Sequence, residues 1–298
     1  MVSERTLDAY GLKYQEEIEM KLGFNEATSM GCSDLYTDLK LCEEYGYDYI
    51  EIRLDKLREY LQQHTMDELV AFFEASHLKP YVFNALEGIN FRTEEEWETL
   101  MTGLDLFCEV GKRTGCNKVV IVPTADVGNK TVTQIREDSL EAIRRIDRRA
   151  KANGWPMEQA LEFVGYPNLC INTFNQAYEI VEMSDVENVG IVLDCFHFHA
   201  MGSRLEDLQK LDVNKLISVH VDDSEELPFG AARDENRLWP GEGCVDLNGI
   251  FAILKEKGYD TIASVELFRP EYYEMTAREN IRVAKETTVK ALAPFWKL

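Results

Sequence analysis

Short apolar runs recur along this chain, separated by stretches whose apolar residues fall three and four apart. The runs predict strands over 22–28 (LGFNEAT), 47–54 (YDYIEIRL), 78–86 (LKPYVFNAL), 118–123 (KVVIVP), 160–165 (ALEFVG), 189–196 (VGIVLDCF), 216–221 (LISVHV) and 261–268 (TIASVELF). Between and after them the spacing predicts helices over 34–45, 66–77, 94–113, 133–152, 173–183, 204–210, 248–257 and 276–291. Thr65 with Glu68, and Thr93 with Glu96, have the spacing of capping boxes, and Gly46 stands where the first helix should stop. In the 94–113 helix, Trp97, Leu100, Leu104, Phe107 and Val110 form the buried stripe. A run such as KVVIVP shows no alternation, as expected of a parallel strand covered on both faces. Eight strands alternating with eight helices predict an α/β protein with a single (β/α)8 TIM barrel.

Two segments break the even spacing. Residues 1–19 precede the first strand and read as an N-terminal extension, expected to be helical, ahead of a catalytic barrel over 20–298. Residues 223–247, after the seventh strand, form a long connection mixing turn formers with charged groups and Trp239. A connection of that length at the active face of a barrel is more often functional than idle.

With 298 residues and 45% hydrophobic content, the chain can build the large core this fold needs. The net charge of −22 opposes association with nucleic acid and with anionic membrane surfaces, so a small-molecule partner is expected. Seven dispersed cysteines without CxxC spacing read as reduced thiols. The charged opening MVSERTLDAYGLKYQEEIEM lacks an apolar segment, so the expected location is cytoplasmic. Oligomeric state is open, with the N-terminal extension a candidate contact.

In a parallel barrel, residues at the carboxyl ends of the strands converge on one mouth, and there the chemistry is sought. Read in order, the mouth-facing candidates are Asn25, Glu51, Arg53, Asn84, Thr124, Glu162, Asp194 with His197, His220 with Asp222, and Glu266 with Arg269. Glu162, Asp194, His220 and Glu266 end strands five to eight, so residues 32, 26 and 46 positions apart can meet at one ion. Three carboxylates and an imidazole suit one divalent cation, Mn²⁺ or Zn²⁺ first. His197 is favoured over His199 as a contact to substrate hydroxyls, and Asp222 is expected to orient the His220 ring. Trp239 would cover the pocket from the long connection or anchor its turn. His64 and His77, on the second helix, are given no chemistry. GxGxxG after a strand, GxxxxGK[ST] and GxSxG are all absent, which leaves chemistry at a metal.

The strings FNEAT, IEIRLD, ALEFVG, NTFNQAYEIV, GIVLDCFHFHAMGS, HVDDSEELPFG, RLWPGEGCVDL and SVELFRPEYY resemble the inosose isomerases (2-keto-myo-inositol isomerases) of bacterial inositol catabolism, within the xylose-isomerase-like barrel superfamily. The resemblance runs from about Met20 onward and implies the metal set Glu162, Asp194, His220 and Glu266, with His197 matching a substrate-binding histidine. It implies conversion of 2-keto-myo-inositol to 1-keto-D-chiro-inositol by proton transfer through a metal-stabilised enediolate. Glu162 and Glu266 would serve as base and acid, and Arg53, Asn84, Trp239 and Arg269 are the further candidate substrate contacts. Related ketose 3-epimerases carry a glutamate six residues after the first ligand and an arginine six after the ligand histidine; here those positions hold Asn168 and Glu226. The alternatives are an inosose dehydratase or a ketose 3-epimerase on the same barrel. The fold is also shared by endonuclease IV-like repair proteins, but five histidines and the strongly negative charge oppose that reading.

Overall fold

A computed structural model describes residues 19–298; the helix expected in the N-terminal extension lies outside the described residues. Eight parallel strands close into a barrel in the order β1 (Lys21–Asn25), β10 (Ile262–Val265), β7 (Leu216–Val221), β6 (Val189–Asp194), β5 (Glu158–Glu162), β4 (Lys118–Val122), β3 (Lys79–Glu87), β2 (Tyr49–Arg53). The described chain begins beside its own end, with Met20 N–H donating to Lys297 O at 2.8 Å.

The helices around the barrel are α1 (Leu35–Tyr45), α2 (Leu54–Gln63), α3 (Met66–Ala75), α4 (Glu94–Thr114), α5 (Val132–Ala152), α6 (Phe174–Met183), α7 (Cys195–Ala200), α8 (Leu205–Leu208), α9 (Leu247–Glu256) and α10 (Ala277–Leu292). Both expected capping boxes form, and a third, Thr131 with Gln134, opens α5. Gly46 closes α1 at φ 69°, a left-handed conformation that a Cβ would strain. The principal apolar cluster lies between strands and helices, where Phe83 stacks on Phe107 with ring centroids 4.6 Å apart. A second cluster, including Tyr81, Val120, Val192 and Ile262, fills the barrel's interior. The middle of the barrel is packed, and in this architecture the chemistry is sought at the mouth where the strands' carboxyl ends converge.

Three differences from the expected elements bear on that mouth. The run 47–54 ends at Arg53, and LDKLREYLQQ forms α2, a helix the sequence reading missed because Arg53 supplies no side-chain cap. The run 189–196 stops at Asp194, whose carboxylate accepts from His197 N–H at 2.6 Å and starts α7, so His197 and His199 sit on a helical turn rather than on a strand. Gly165 makes room for that turn, because a Cβ there would stand 2.6 Å from His197 O. The long connection folds into an antiparallel pair, β8 (Asp223–Ser224) with β9 (Arg237–Leu238), in which Ser224 pairs with Arg237. This hairpin turns Arg237 back over the mouth.

Candidate metal centre and active site

Glu162, Asp194, His220 and Glu266 are buried, and each offers a ligand atom such that all four atoms lie within 4.8 Å of one another. Register explains half of this, because Asp194 on β6 pairs directly with His220 on β7. His220 also pairs with Ser264 on β10, and Glu266 follows two residues later, at the point where that strand has ended. Around His220 Nδ1 stand Glu162 Oε1 at 2.9 Å, Glu266 Oε2 at 3.1 Å and Asp194 Oδ2 at 3.9 Å. Glu162 Oε1 and His220 Nδ1, though 2.9 Å apart, are not aligned as donor and acceptor, and neither has another hydrogen-bond partner among the described residues. Orphaned polar atoms are costly in a protein interior, and lone pairs converging on one point are what a cation satisfies. The donor set therefore fits a divalent ion.

The family-model comparison matches residues 39–287 to the xylose isomerase-like TIM barrel. An inosose isomerase of Halalkalibacterium halodurans is 46% identical over 280 residues, which is 94% of this chain and 99% of that protein. The inosose isomerase of Bacillus subtilis is 45% identical over 94% of this chain and all of its own length. The chain belongs to the inosose isomerase family. A solved structure of the IolI protein with a bound zinc atom superposes with a TM-score of 0.90 at 45% identity, covering 94% of this chain and all of that one. A ketose 3-epimerase of Arthrobacter globiformis is more distant, 26% identical over 57% of this chain.

In this member of the inosose isomerase family the electrostatics of the cluster are uneven. Burial, together with the charges of Glu266 and Asp194 and against the pull of His220, pushes Glu162 up to about 7. Burial acts on Glu266 in the same direction, but His220 and the Arg237 guanidinium outweigh it and hold that carboxyl at about 2. Burial lowers His197, which stays neutral within a cage made by Tyr166 and Phe196, with ring centroids 5.4 Å away in each case. His197 Nε2 lies 3.0 Å from Arg237 Nη2, and its Nδ1 is buried with no partner among the described residues.

Arg237 is the residue that sequence reasoning missed. Only 1% exposed, it reaches Asp194 Oδ2 at 2.7 Å and Glu266 Oε2 at 3.4 Å through Nη1, which also donates to Asp222. No arginine stands six residues after His220, but this one arrives at the mouth through the hairpin. Its signal was the string RLWPGEGCVDL in a connection already singled out for its length, where Trp239 drew attention instead.

Asp222 does not orient the His220 ring. β7 ends at Val221, so the strand parity that would have carried Asp222 beside His220 no longer applies. Asp222 instead accepts from Phe196 N–H at 2.7 Å and from Arg237, joining α7 to the hairpin. The ring's other nitrogen, Nε2, meets Glu51 Oε2 at 3.1 Å.

The remaining candidates divide by location. Asn84 approaches Glu266 Oε1 at 3.5 Å and, with Arg53, lines a cavity of about 470 Å³ that also touches Arg58, Glu87, Arg92 and Leu100. Asn25, buried, donates to Glu266 Oε1 at 2.8 Å. Thr124 is engaged with Asn90, its Oγ1 donating to the Asn90 carbonyl at 2.9 Å. Trp239 is 3% exposed and stacked on Tyr272 with ring centroids 4.2 Å apart, so it packs as a turn anchor. Arg269 pairs with Glu225 at 2.8 Å and donates to the carbonyls of Glu235 and Arg237, which clamps the hairpin from outside. His199 faces Phe229 and the Cys244 thiol, away from the cluster, and His77 pairs with Glu43 on the surface.

Proposed function

We propose that this protein isomerises a cyclic polyol ketone, 2-keto-myo-inositol to 1-keto-D-chiro-inositol, with one divalent cation held by Glu162, Asp194, His220 and Glu266. The observation that carries the reading is the convergence of those four buried donors at a barrel mouth, in a chain whose family relatives are inosose isomerases. Zinc is the first choice of metal, since the IolI structure holds one and the donors suit it. Bound there, a dication would acidify the C–H between a ketone and a neighbouring hydroxyl by drawing charge onto oxygen.

The protein's own residues then have separate tasks. Glu162 and Glu266 would act as the proton carriers, and positioned groups of this kind contribute roughly 10²–10⁴-fold. His197, whose Nδ1 has no partner among the described residues, and Arg237, whose Nη2 lies beside that ring, would hydrogen-bond ring hydroxyls. Asn84 and Arg53 line the cavity that admits the rest of the polyol.

The test is incubation of the zinc-loaded protein with 2-keto-myo-inositol, with the product followed by ¹³C NMR and ultraviolet absorbance. A new ketone carbon without a conjugated chromophore is expected. A rising absorbance would identify a dehydratase, and conversion of fructose or tagatose in preference to the inosose would identify an epimerase.

A further inference from the structure

Beneath the four candidate ligands lies a further buried side chain, a carboxylate that the proposed chemistry does not use. Glu51, on β2, is fully buried and reaches across the barrel interior to His220 on β7, two strands that are not neighbours in the sheet. Its Oε2 lies 3.1 Å from His220 Nε2 and accepts from Asn25 Nδ2 at 3.1 Å, while Oε1 accepts from Ser218 Oγ at 3.2 Å. A buried carboxylate costs several kcal/mol in lost hydration, so its retention under a site already rich in negative charge calls for a compensating role.

The geometry points to Glu51 as the positioning residue that fixes the tautomer of His220. A neutral imidazole carries one N–H, and an ionised carboxylate only accepts hydrogen bonds. Glu51 against Nε2 therefore draws the ring's hydrogen to that nitrogen and leaves the Nδ1 lone pair facing Glu162, Asp194 and Glu266. Ser218 and Asn25 fix the carboxylate in turn, and Asn25 also holds Glu266 Oε1, so one amide ties the supporting carboxylate to a ligand. Metal-binding histidines backed by a carboxylate in this way lose about 10- to 100-fold in metal affinity when the support is removed. The inference rests on the metal reading above.

Zinc affinity is to be measured by competition with a chromophoric chelator for wild type, Glu51→Gln and Ser218→Ala, with the His220 ring followed by long-range ¹H–¹⁵N NMR. Melting of the metal-free variants checks that each is folded. A 10- to 100-fold loss of affinity is expected for Glu51→Gln, with a smaller loss for Ser218→Ala, which leaves the charge in place. In the metal-free protein, at a pH where the ring is neutral, wild type should carry the ring hydrogen on Nε2, and Glu51→Gln should show a mixed population. Unchanged affinity in Glu51→Gln overturns the inference and leaves the metal site standing. Lost affinity with unmoved His220 signals also overturns it, because Glu51 would then act through charge alone. Failure of the wild type to take up zinc overturns both.

Discussion

At the scale of single residues, one question is whether a group is placed to move a proton or only to hold the site together. Glu266→Gln keeps the side chain's shape but removes its charge and turns one acceptor oxygen into a donor, so turnover should fall by about 10²–10⁴-fold while the metal-free protein stays folded by circular dichroism. Wild-type rates in that variant would remove Glu266 from the proton path. Arg237→Met is different in kind, since it strips the counter-charge from the buried carboxylates of Asp194 and Asp222. Breaking a buried pair from one side typically costs about 3–5 kcal/mol, and urea unfolding of the metal-free variant should show a loss of that order. The four proposed ligands were legible in the sequence because each closes an apolar run at a fixed place in the repeat. Glu51 and Arg237 were not, for opposite reasons. Glu51 looked like one more mouth carboxylate until the barrel closed and set it beneath His220, and Arg237 needed a hairpin to return it from a loop.

At the scale of elements, the hairpin and the helix junctions carry separate predictions. Arg269 holds the β8–β9 hairpin through Glu225 and two carbonyls, so Arg269→Ala should speed proteolysis within 225–237 and raise KM several-fold, leaving zinc affinity unchanged. Glu43, on α1, accepts from Ser76 Oγ and from Leu78 N–H at 3.0 Å, and so ties α1 to the start of β3. Burial would raise its pKa, but these bonds and His77 outweigh it and hold the carboxyl down to about 2. A depressed folded-state pKa adds stability above the ordinary value of 4.5 and forfeits it as pH falls toward 2. Glu43→Gln should therefore melt below wild type at pH 7, with the gap closing between about pH 4.5 and 2; a gap of constant size would show that the charge is not responsible. Helices that open on capping boxes were readable to within two residues at either end, as α3, α4 and α5 show. Unreadable were α2, which starts without a cap signal directly after a strand, and α7, whose apolar CFHFHA continues the run before it. In α7 the hydrogen bond from His197 N–H to the Asp194 side chain caps the helix and ends the strand, a local choice that hydrophobic pattern alone does not encode.

At the scale of the whole molecule, the barrel brings the four donors together only when it is closed, so metal binding and stability are linked. An ion that binds only the folded state stabilises it by about 2.7 kcal/mol when present at one hundred times its dissociation constant. Stripping the protein with a chelator should lower its melting temperature, and zinc should restore it. The architecture itself was legible because eight apolar runs alternating with helical segments admit few other closed forms. All seven cysteines are free thiols, in line with their scattered spacing, and among the described residues no helix is long and apolar enough to cross a membrane. The most direct test of the central claim is a titration of metal-free protein with zinc in D₂O, in which NMR follows the conversion of 2-keto-myo-inositol. The rate should climb to a break at one equivalent of zinc, and the new ketone should carry solvent deuterium on the carbon that gained hydrogen. Full activity without metal, or a product that keeps the substrate's own hydrogen, would contradict it.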